Sequence, residues 1–222
     1  MSERGRRFGI LGGTLDPIHC GHLAAAVAAR DTLDLSQVLV LPSGVPPHRH
    51  QPLASPFHRF AMAALAVTGV DRFVASDDEM RLDGPSYTAA TLERQHARGI
   101  CPSQIFFVTG ADAFADIETW MRYPAVLDLA NFVVVARPGY AVSALRSKLP
   151  ALAGRMRAAE QLVSEESATP LIYLLDAPTP DVSSTMVRSR LAGGESISGL
   201  VPPLVETYIH QHVLYRSLHG QN

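Results

Sequence analysis

The chain has 222 residues, of which 47% are hydrophobic and 18% are charged, and its formal net charge at pH 7 is −2. This length and apolar content suffice for one substantial core, so we expect a single domain. The small net charge argues against a nucleic-acid groove, which usually has a basic face. It still allows positive charge to be concentrated at a local site for a small phosphorylated ligand.

Membrane proteins, secreted proteins and disulfide-framed proteins are also disfavoured. No apolar run approaches the roughly 18 residues that a membrane helix requires. The basic residues near the start precede an apolar run too short for a signal peptide, so we expect a cytoplasmic protein. Cys20 and Cys101 are too few for a disulfide framework, and neither has a cysteine partner at metal-ligand spacing, so no metal site is predicted.

Apolar segments typical of buried strands alternate along the chain with segments typical of helices. The predicted strands are 8–11, 37–42, 72–76, 104–109, 131–136 and 171–175. The predicted helices lie near 21–33, 56–68, 87–98, 113–120 and 142–164, followed by one that opens at 183–185 and one over 203–215. We therefore predict a Rossmann-like α/β fold with a doubly wound parallel sheet. The helical part from about 183 to 222 would pack on the same domain, 1–222.

The first strand is followed by Gly-Gly-Thr-Leu-Asp-Pro-Ile-His-Cys-Gly-His at 12–22. Glycines let the backbone approach a ligand, and the start of the next helix offers N–H groups and a positive dipole end to an anion. His19 and His22 add donors for phosphate oxygens. A lone histidine here would be a helix cap or a packed side chain, but the whole string favours a phosphate site that includes Gly12, Gly13 and Thr14.

Further polar strings follow the other predicted strands, whose carboxyl ends share one edge of a parallel sheet. These strings are Pro-Pro-His-Arg at 46–49, Gly-Ala-Asp at 110–112, Arg-Pro-Gly-Tyr at 137–140 and Asp-Val-Ser-Ser-Thr-Met-Val-Arg at 181–188. Each alone is typical of a turn, and their shared edge favours a ligand site. The last string predicts a second helix start rich in donors, with Arg188 one turn farther on the same side. Two such helix starts suit a triphosphate.

These strings resemble the nucleotidyltransferase superfamily, whose signature is G-G-T-F-D-P-x-H-x-G-H. Leu15 stands where the superfamily usually has Phe. Within the superfamily, the chain resembles the bacterial nicotinate-mononucleotide adenylyltransferases from Gly12 to Arg188. Besides the strings above, the resemblance rests on H-R-x-x-M at 58–62, P-S-Y-T-x-x-T-L at 85–92 and Trp120.

The resemblance implies adenylyl transfer from ATP to nicotinate mononucleotide, with Mg²⁺ arriving on the ATP phosphates, since the chain shows no carboxylate cage of its own. The residues implied to hold the phosphates are Gly12, Gly13, Thr14, His19, His22, Ser183, Ser184, Thr185 and Arg188. His22, His19 and Arg188 would be the catalytic groups among them. The residues implied to contact adenosine are Gly110, Asp112 and Arg137. Those implied at the pyridine end are Tyr87, Thr88 and Trp120, with His48 nearby.

Several of these residues also have plainer roles. Trp120 could pack in the core, or its flat face could stack on a pyridine ring. Tyr87 and Thr88 could cap a helix, or the N–H groups there could receive a carboxylate. Asp112 could belong to a turn, or accept a hydrogen bond from a ribose hydroxyl.

Other functions remain open on the sequence alone. A different small-molecule nucleotidyltransferase, such as a pantetheine-phosphate enzyme, would share the phosphate site, although the string at 85–88 and Trp120 argue against it. A non-catalytic nucleotide sensor could share the fold, although intact His19, His22 and Arg188 argue against that. A class I synthetase fragment is disfavoured because no K-M-S-K-S-like loop is present.

Overall fold

The computed structural model describes residues 5–47, 51–161 and 169–216. In this part of the chain, seven parallel strands form one sheet in the order β3-β2-β1-β4-β5-β7-β6. The strands are β1 (Phe8–Gly13), β2 (Gln37–Pro42), β3 (Phe73–Ala75), β4 (Ile105–Gly110), β5 (Asn131–Val135), β6 (Met156–Ala158) and β7 (Ile172–Leu175). The strand order reverses between β1 and β4, which is the topological switch point of a Rossmann-like sheet.

Helices cover both faces of the sheet. They are α1 (Cys20–Leu33), α2 (Pro56–Ala66), α3 (Thr88–Ala97), α4 (Ala111–Phe114), α5 (Leu145–Lys148), α6 (Ser184–Ala192) and α7 (Pro203–Gln211). Alternate strand residues point to opposite faces. One set, including Val38 and Val108, packs with α1, α2, α6 and α7, whereas the other, including Phe107 and Val134, packs with α3, α4 and α5. The doubly wound parallel sheet predicted from the sequence is confirmed.

Each predicted strand is present to within two residues, but two predicted helices are wrong. The segment predicted as a helix near 142–164 contains α5, short 3₁₀ turns and the edge strand β6, which pairs with β7. Pro150 cannot continue a helix from α5, and three residues of β6 are too few to show an alternating pattern. The segment 113–120 contains the end of α4 and a separate 3₁₀ turn at Ile117–Thr119. Residues 162–164 lie outside the described part.

The C-terminal segment turns back toward the sheet after α7. Helix α7 ends at Gln211, not near 215, and Val213 and Tyr215 have left-handed φ angles of 52° and 63°. Val205 and Ile209 of α7 are fully buried in the same core as α1. Among residues 5–47, 51–161 and 169–216, no helix combines the length and the apolar character needed to cross a bilayer.

Candidate functional site

The string at 12–22 forms the end of β1, a turn and the first turn of α1. The Leu15 side chain is buried and its φ is 50°, so an apolar residue in a left-handed conformation anchors the turn. The Cys20 N–H donates to the Leu200 carbonyl at 2.9 Å, and the His22 N–H donates to the His19 carbonyl at 3.0 Å. The start of α1 is therefore held by the loop between α6 and α7, and some of the N–H groups in its first turn are already hydrogen-bonded.

The two histidines of the string form a stacked pair. Their ring centroids are 3.7 Å apart with an interplanar angle of 29°. The His19 backbone N–H donates to Nδ1 of His22 at 3.2 Å. This bond requires an unprotonated Nδ1, so a neutral His22 carries its proton on Nε2. Nε2–H is then the donor that His22 can offer to a phosphate.

His19 is only 1% exposed, and burial together with the charge of Arg137 lowers its pKa to about 3. The ring is therefore neutral at physiological pH, because protonation would bury a second positive charge beside the guanidinium. Its Nδ1 is buried and has no hydrogen-bond partner in the structure. A neutral, unsatisfied ring nitrogen next to an arginine is suited to a polar ligand group.

Gly21 allows Arg137 to approach this pair. A Cβ on Gly21 would lie 2.8 Å from Nη1 of Arg137 and 3.1 Å from Nδ1 of His19, so any other residue would displace the guanidinium from its place beside His19. Arg137 follows β5, and its Nε lies 3.9 Å from Oδ1 of Asp112, which follows β4. The strings after β1, β4 and β5 therefore meet at the carboxyl edge, as the sequence predicted for parallel strands.

Helix α6 docks against the turn that precedes α1. Ser183 caps α6 by accepting from the Met186 N–H at 3.1 Å. Ser184 Oγ donates to the Pro17 carbonyl at 2.8 Å, and Arg188 Nη1 donates to the Asp16 carbonyl at 2.6 Å. Arg188 Nη2 also donates to Oγ1 of Thr185 at 3.2 Å. The structure thus brings the two predicted helix starts together.

Two buried charged residues that the sequence analysis gave no role lie beneath this site. The Asp16 carboxylate accepts from the N–H groups of Leu53 and Ala54, at 2.9 and 3.1 Å, and from the Tyr215 hydroxyl at 2.7 Å. Burial and the neighbouring Asp16 charge raise the pKa of Tyr215, so the phenol stays protonated and donates. Asp16 thereby joins Tyr215 to the turn that precedes α1.

The second of these residues is Arg59, which is 0% exposed. Its guanidinium donates to the carbonyls of Thr14 and Gly44, each at 2.9 Å, to that of Ala54 at 3.3 Å, and also to that of Ser43. A signal for Arg59 was present in the sequence. It shares the buried face of α2 with Met62, Ala63 and Ala66, at helical spacing, so the pattern places it inside.

The segment predicted for the pyridine end lies at the start of α3. Thr88 is its first residue, and Tyr87 precedes it in an extended conformation without a side-chain cap. The Tyr87 N–H donates to the Pro85 carbonyl at 3.2 Å, so this predicted donor is engaged in the structure. Ser86 joins the segment to the loop after β2, because its Oγ accepts from the Gly44 N–H at 2.9 Å.

Trp120 has the first of the two roles considered for it, packing against the aromatic core, and its stacking on a pyridine ring stays a prediction. Its ring is partly buried and meets Phe107 and Phe132 edge-on, with centroids 6.1 and 6.2 Å away. The other side of Phe107 lies beside Gly12, where a Cβ would be 3.0 Å from the phenyl ring. The small size of Gly12 therefore makes room for Phe107. His48 lies outside the described residues.

No group of three or more His, Cys, Asp or Glu side chains within the described ranges could hold a metal ion.

Cys20, between the two histidines, is partly buried, and burial raises its pKa. Its thiol is thus less readily ionised than a free cysteine, which argues against a nucleophilic role.

Comparison with known proteins gives concordant findings. Residues 10–190 match the model of the Cytidylyltransferase-like family. The chain is 42% identical over 212 residues to the "Probable nicotinate-nucleotide adenylyltransferase" of Roseiflexus sp. (strain RS-1), covering 94% of this chain and 98% of that protein. It is 38% identical over 215 residues to the protein of the same name from Pseudomonas aeruginosa (strain UCBPP-PA14), covering 97% and 100%.

A solved structure shares the fold along nearly the whole chain. It is the Plasmodium falciparum nicotinic acid mononucleotide adenylyltransferase complexed with NaAD, with a TM-score of 0.69. The match covers 95% of this chain and 97% of that one at 18% identity. The same protein complexed with APC matches with a TM-score of 0.66 and 17% identity.

Proposed function

The chain belongs to the Cytidylyltransferase-like family, and on that premise we propose that it is a nicotinate-nucleotide adenylyltransferase of NAD biosynthesis. It transfers the adenylyl group of ATP to nicotinate mononucleotide and releases pyrophosphate. The names of relatives that match along nearly its full length support this activity.

The observation that carries the proposal is the joining of the two helix starts. Ser184 and Arg188 of α6 hydrogen-bond the carbonyls of Pro17 and Asp16, directly before α1. Two helix N-termini and the donors of His22 and Arg188 then converge on one place. Such a place suits the chain of negative charges in a triphosphate.

The chemistry needs no protein nucleophile. A phosphate oxygen of nicotinate mononucleotide attacks the α-phosphorus of ATP, the bond from that phosphorus to the bridging α–β oxygen breaks, and pyrophosphate leaves with the electron pair. The attacking oxygen is already anionic at neutral pH, so no strong general base is required. The protein's contribution is alignment of the two substrates and stabilisation of the charge that develops on the leaving group.

Each side chain has a defined part in this proposal. His22 Nε2–H and the Arg188 guanidinium donate to phosphate oxygens, and neutral His19 accepts or donates one hydrogen bond without repelling Arg137. Gly13, Thr14, Ser183 and Thr185 line the phosphate path. Asp112 and Arg137, with Gly110 at the end of β4, contact the adenosine portion.

The acceptor's carboxylate is received at the start of α3. Thr88 opens that helix, whose first-turn N–H groups favour an anion. Arg94, the nearest arginine along α3, is paired with buried Glu79 and does not supply a free charge. Backbone donors at Thr88 and stacking on Trp120, with Tyr87 next to Thr88 in the chain, therefore favour nicotinate over nicotinamide, whose amide N–H₂ would face donors.

In the proposed reaction, Mg²⁺ arrives bound to the phosphates of ATP. It would be held by the phosphates and by water, because the described residues offer no cluster of three ligating side chains. When bound, it neutralises phosphate charge. We also propose that the protein is cytoplasmic, as the sequence predicts.

A direct assay tests the function. Purified protein is mixed with ATP, Mg²⁺ and nicotinate mononucleotide, nicotinamide mononucleotide or pantetheine phosphate, and pyrophosphate and the adenylylated product are measured. We expect rapid product formation with nicotinate mononucleotide and slower formation with the amide. Preferred use of pantetheine phosphate would assign a different nucleotidyltransferase, and no pyrophosphate from any acceptor would favour a nucleotide sensor.

A further inference from the structure

Arg59 is a buried cation whose hydrogen bonds all go to backbone carbonyls. Its side chain is fully buried, and burial lowers its pKa, although an arginine stays charged at any ordinary pH. The carbonyls come from separate segments: Thr14 follows β1, and Ser43 and Gly44 follow β2. The guanidinium therefore joins two loops that are well separated along the chain.

The two joined segments serve different substrates in the proposed function. The segment after β1 leads to His19 and His22 on the ATP side. The segment after β2 is joined through Ser86 to the start of α3 on the acceptor side. Arg59 therefore lies beneath the boundary between the substrates and has no access to either.

Asp16 fixes the far end of the loop after β2. Its carboxylate accepts from the N–H groups of Leu53 and Ala54, and the Ala54 carbonyl accepts from Nε of Arg59 at 3.3 Å. Both backbone groups of Ala54 are thus hydrogen-bonded, the N–H to Asp16 and the carbonyl to Arg59. The loop between β2 and α2 is attached at both ends to the segment 14–16.

We propose that Arg59 is a positioning residue for adenylyl transfer, which fixes the ATP loop after β1 and the acceptor loop after β2 in their relative orientation, with Asp16 and Tyr215 as its supporting pair. This inference rests on the proposed function. In an in-line reaction, a small misplacement of two bound substrates slows the chemical step without weakening the binding of either one. Loss of the guanidinium should therefore lower kcat more than it raises either KM.

The test is Arg59→Lys, with Arg155→Lys as a matched control. Lysine keeps the charge, but its compact ammonium cannot span the four carbonyls that the planar guanidinium bridges. Arg155 also donates to backbone carbonyls, those of Leu127 and Pro170, but at the opposite edge of the sheet. We expect Arg59→Lys to reduce kcat at least tenfold with each KM changed less than threefold, while Arg155→Lys keeps kcat within twofold at a comparable loss of thermal stability.

Tyr215→Phe supplies a milder second variant should Arg59→Lys fail to fold. It deletes only the hydroxyl that donates to Asp16 and keeps the ring. We expect kcat to fall a few-fold with unchanged KM values, whereas Tyr208→Phe, which removes the hydroxyl beside His58, leaves kcat unchanged.

The outcomes separate this inference from the proposed function. An inactive wild type with nicotinate mononucleotide overturns the function itself. An active wild type in which Arg59→Lys behaves as Arg155→Lys does, or raises a KM at constant kcat, overturns the positioning role. If Arg59→Lys does not fold, unchanged kcat in Tyr215→Phe overturns it.

Discussion

The two ends of the proposed site, one for the phosphates and one for the pyridine ring, are built in different ways. At the phosphate end, side chains of α6 hydrogen-bond carbonyls directly before α1, and His22 is oriented by the backbone of His19. At the pyridine end, Trp120 is placed by aromatic packing against Phe107 and Phe132. A fixed polar frame suits charge that develops during reaction, whereas an aromatic surface suits recognition of a ring. Changes at the first end should therefore affect turnover, and changes at the second should affect acceptor binding.

The largest effect should come from His22→Ala. This change removes a donor to transition-state charge, so we expect kcat to fall by roughly 10²–10³, with little loss of fold. Steady-state kinetics and circular dichroism measure the two effects. His96→Ala is the control, because His96 lies outside the site and contacts the Leu129 carbonyl. Near wild-type turnover in His22→Ala would remove this residue from the mechanism.

Arg188→Ala should have the next largest effect. It removes positive charge from the triphosphate and releases the Asp16 carbonyl from α6. We expect kcat/KM for ATP to fall by on the order of 10². Arg188→Lys should recover only part, because a point charge cannot replace a forked donor. An unchanged KM for ATP together with a raised KM for nicotinate mononucleotide would instead place Arg188 at the pyridine end of the site.

Trp120→Ala tests the other side of the comparison. Loss of ring stacking should raise KM for nicotinate mononucleotide about fivefold, in keeping with the ~1 kcal/mol of an aromatic contact, and leave KM for ATP nearly constant. Mononucleotide should also quench Trp120 fluorescence in the wild type. Equal changes in both constants would mean that the two ends are not separable.

The free energy of unfolding should depend on pH through His19, which lies at the phosphate end. Its folded pKa of about 3 is below the unfolded value of 6.5, so between these values only the unfolded chain takes up the proton. Relative to His19→Gln, the wild type should lose stability as pH falls from 6.5 toward 3, approaching about 1.4 kcal/mol per pH unit. Urea unfolding of both proteins at several pH values measures the difference. Parallel curves would show that His19 is not held neutral.

Cys20→Ser should have the smallest effect. Cys20 connects to the rest of the protein through its backbone N–H, which the substitution keeps. We expect kcat and both KM values within twofold of the wild type. A folded but strongly inactive Cys20→Ser protein would show that the side chain between the histidines takes part in the reaction.

The sequence predicted the parts of this protein that are encoded locally. Apolar runs located six of the seven strands in the described residues, all but the short edge strand β6, and the polar strings after them met at one edge because parallel strands must end there. The role of Arg59 was missed because apolar patterns do not reveal a buried cation, although its spacing with Met62 and Ala66 places it on the inner face of α2. Tyr215 gave no signal, since its partner Asp16 lies 199 residues away.

That separation has a consequence for how the protein is made. Four hydrogen bonds join the first tenth of the chain to its last fifth. Their acceptors are the carbonyls of Pro17, Asp16 and Leu200 and the carboxylate of Asp16. Five of the seven strands, β1 to β5, precede residue 136, so most of the sheet is encoded before α6 and Tyr215. The nucleotide site, in contrast, becomes complete only when α6 and Tyr215 have emerged. A nascent chain therefore cannot bind ATP at a complete site until nearly all of it has been synthesised.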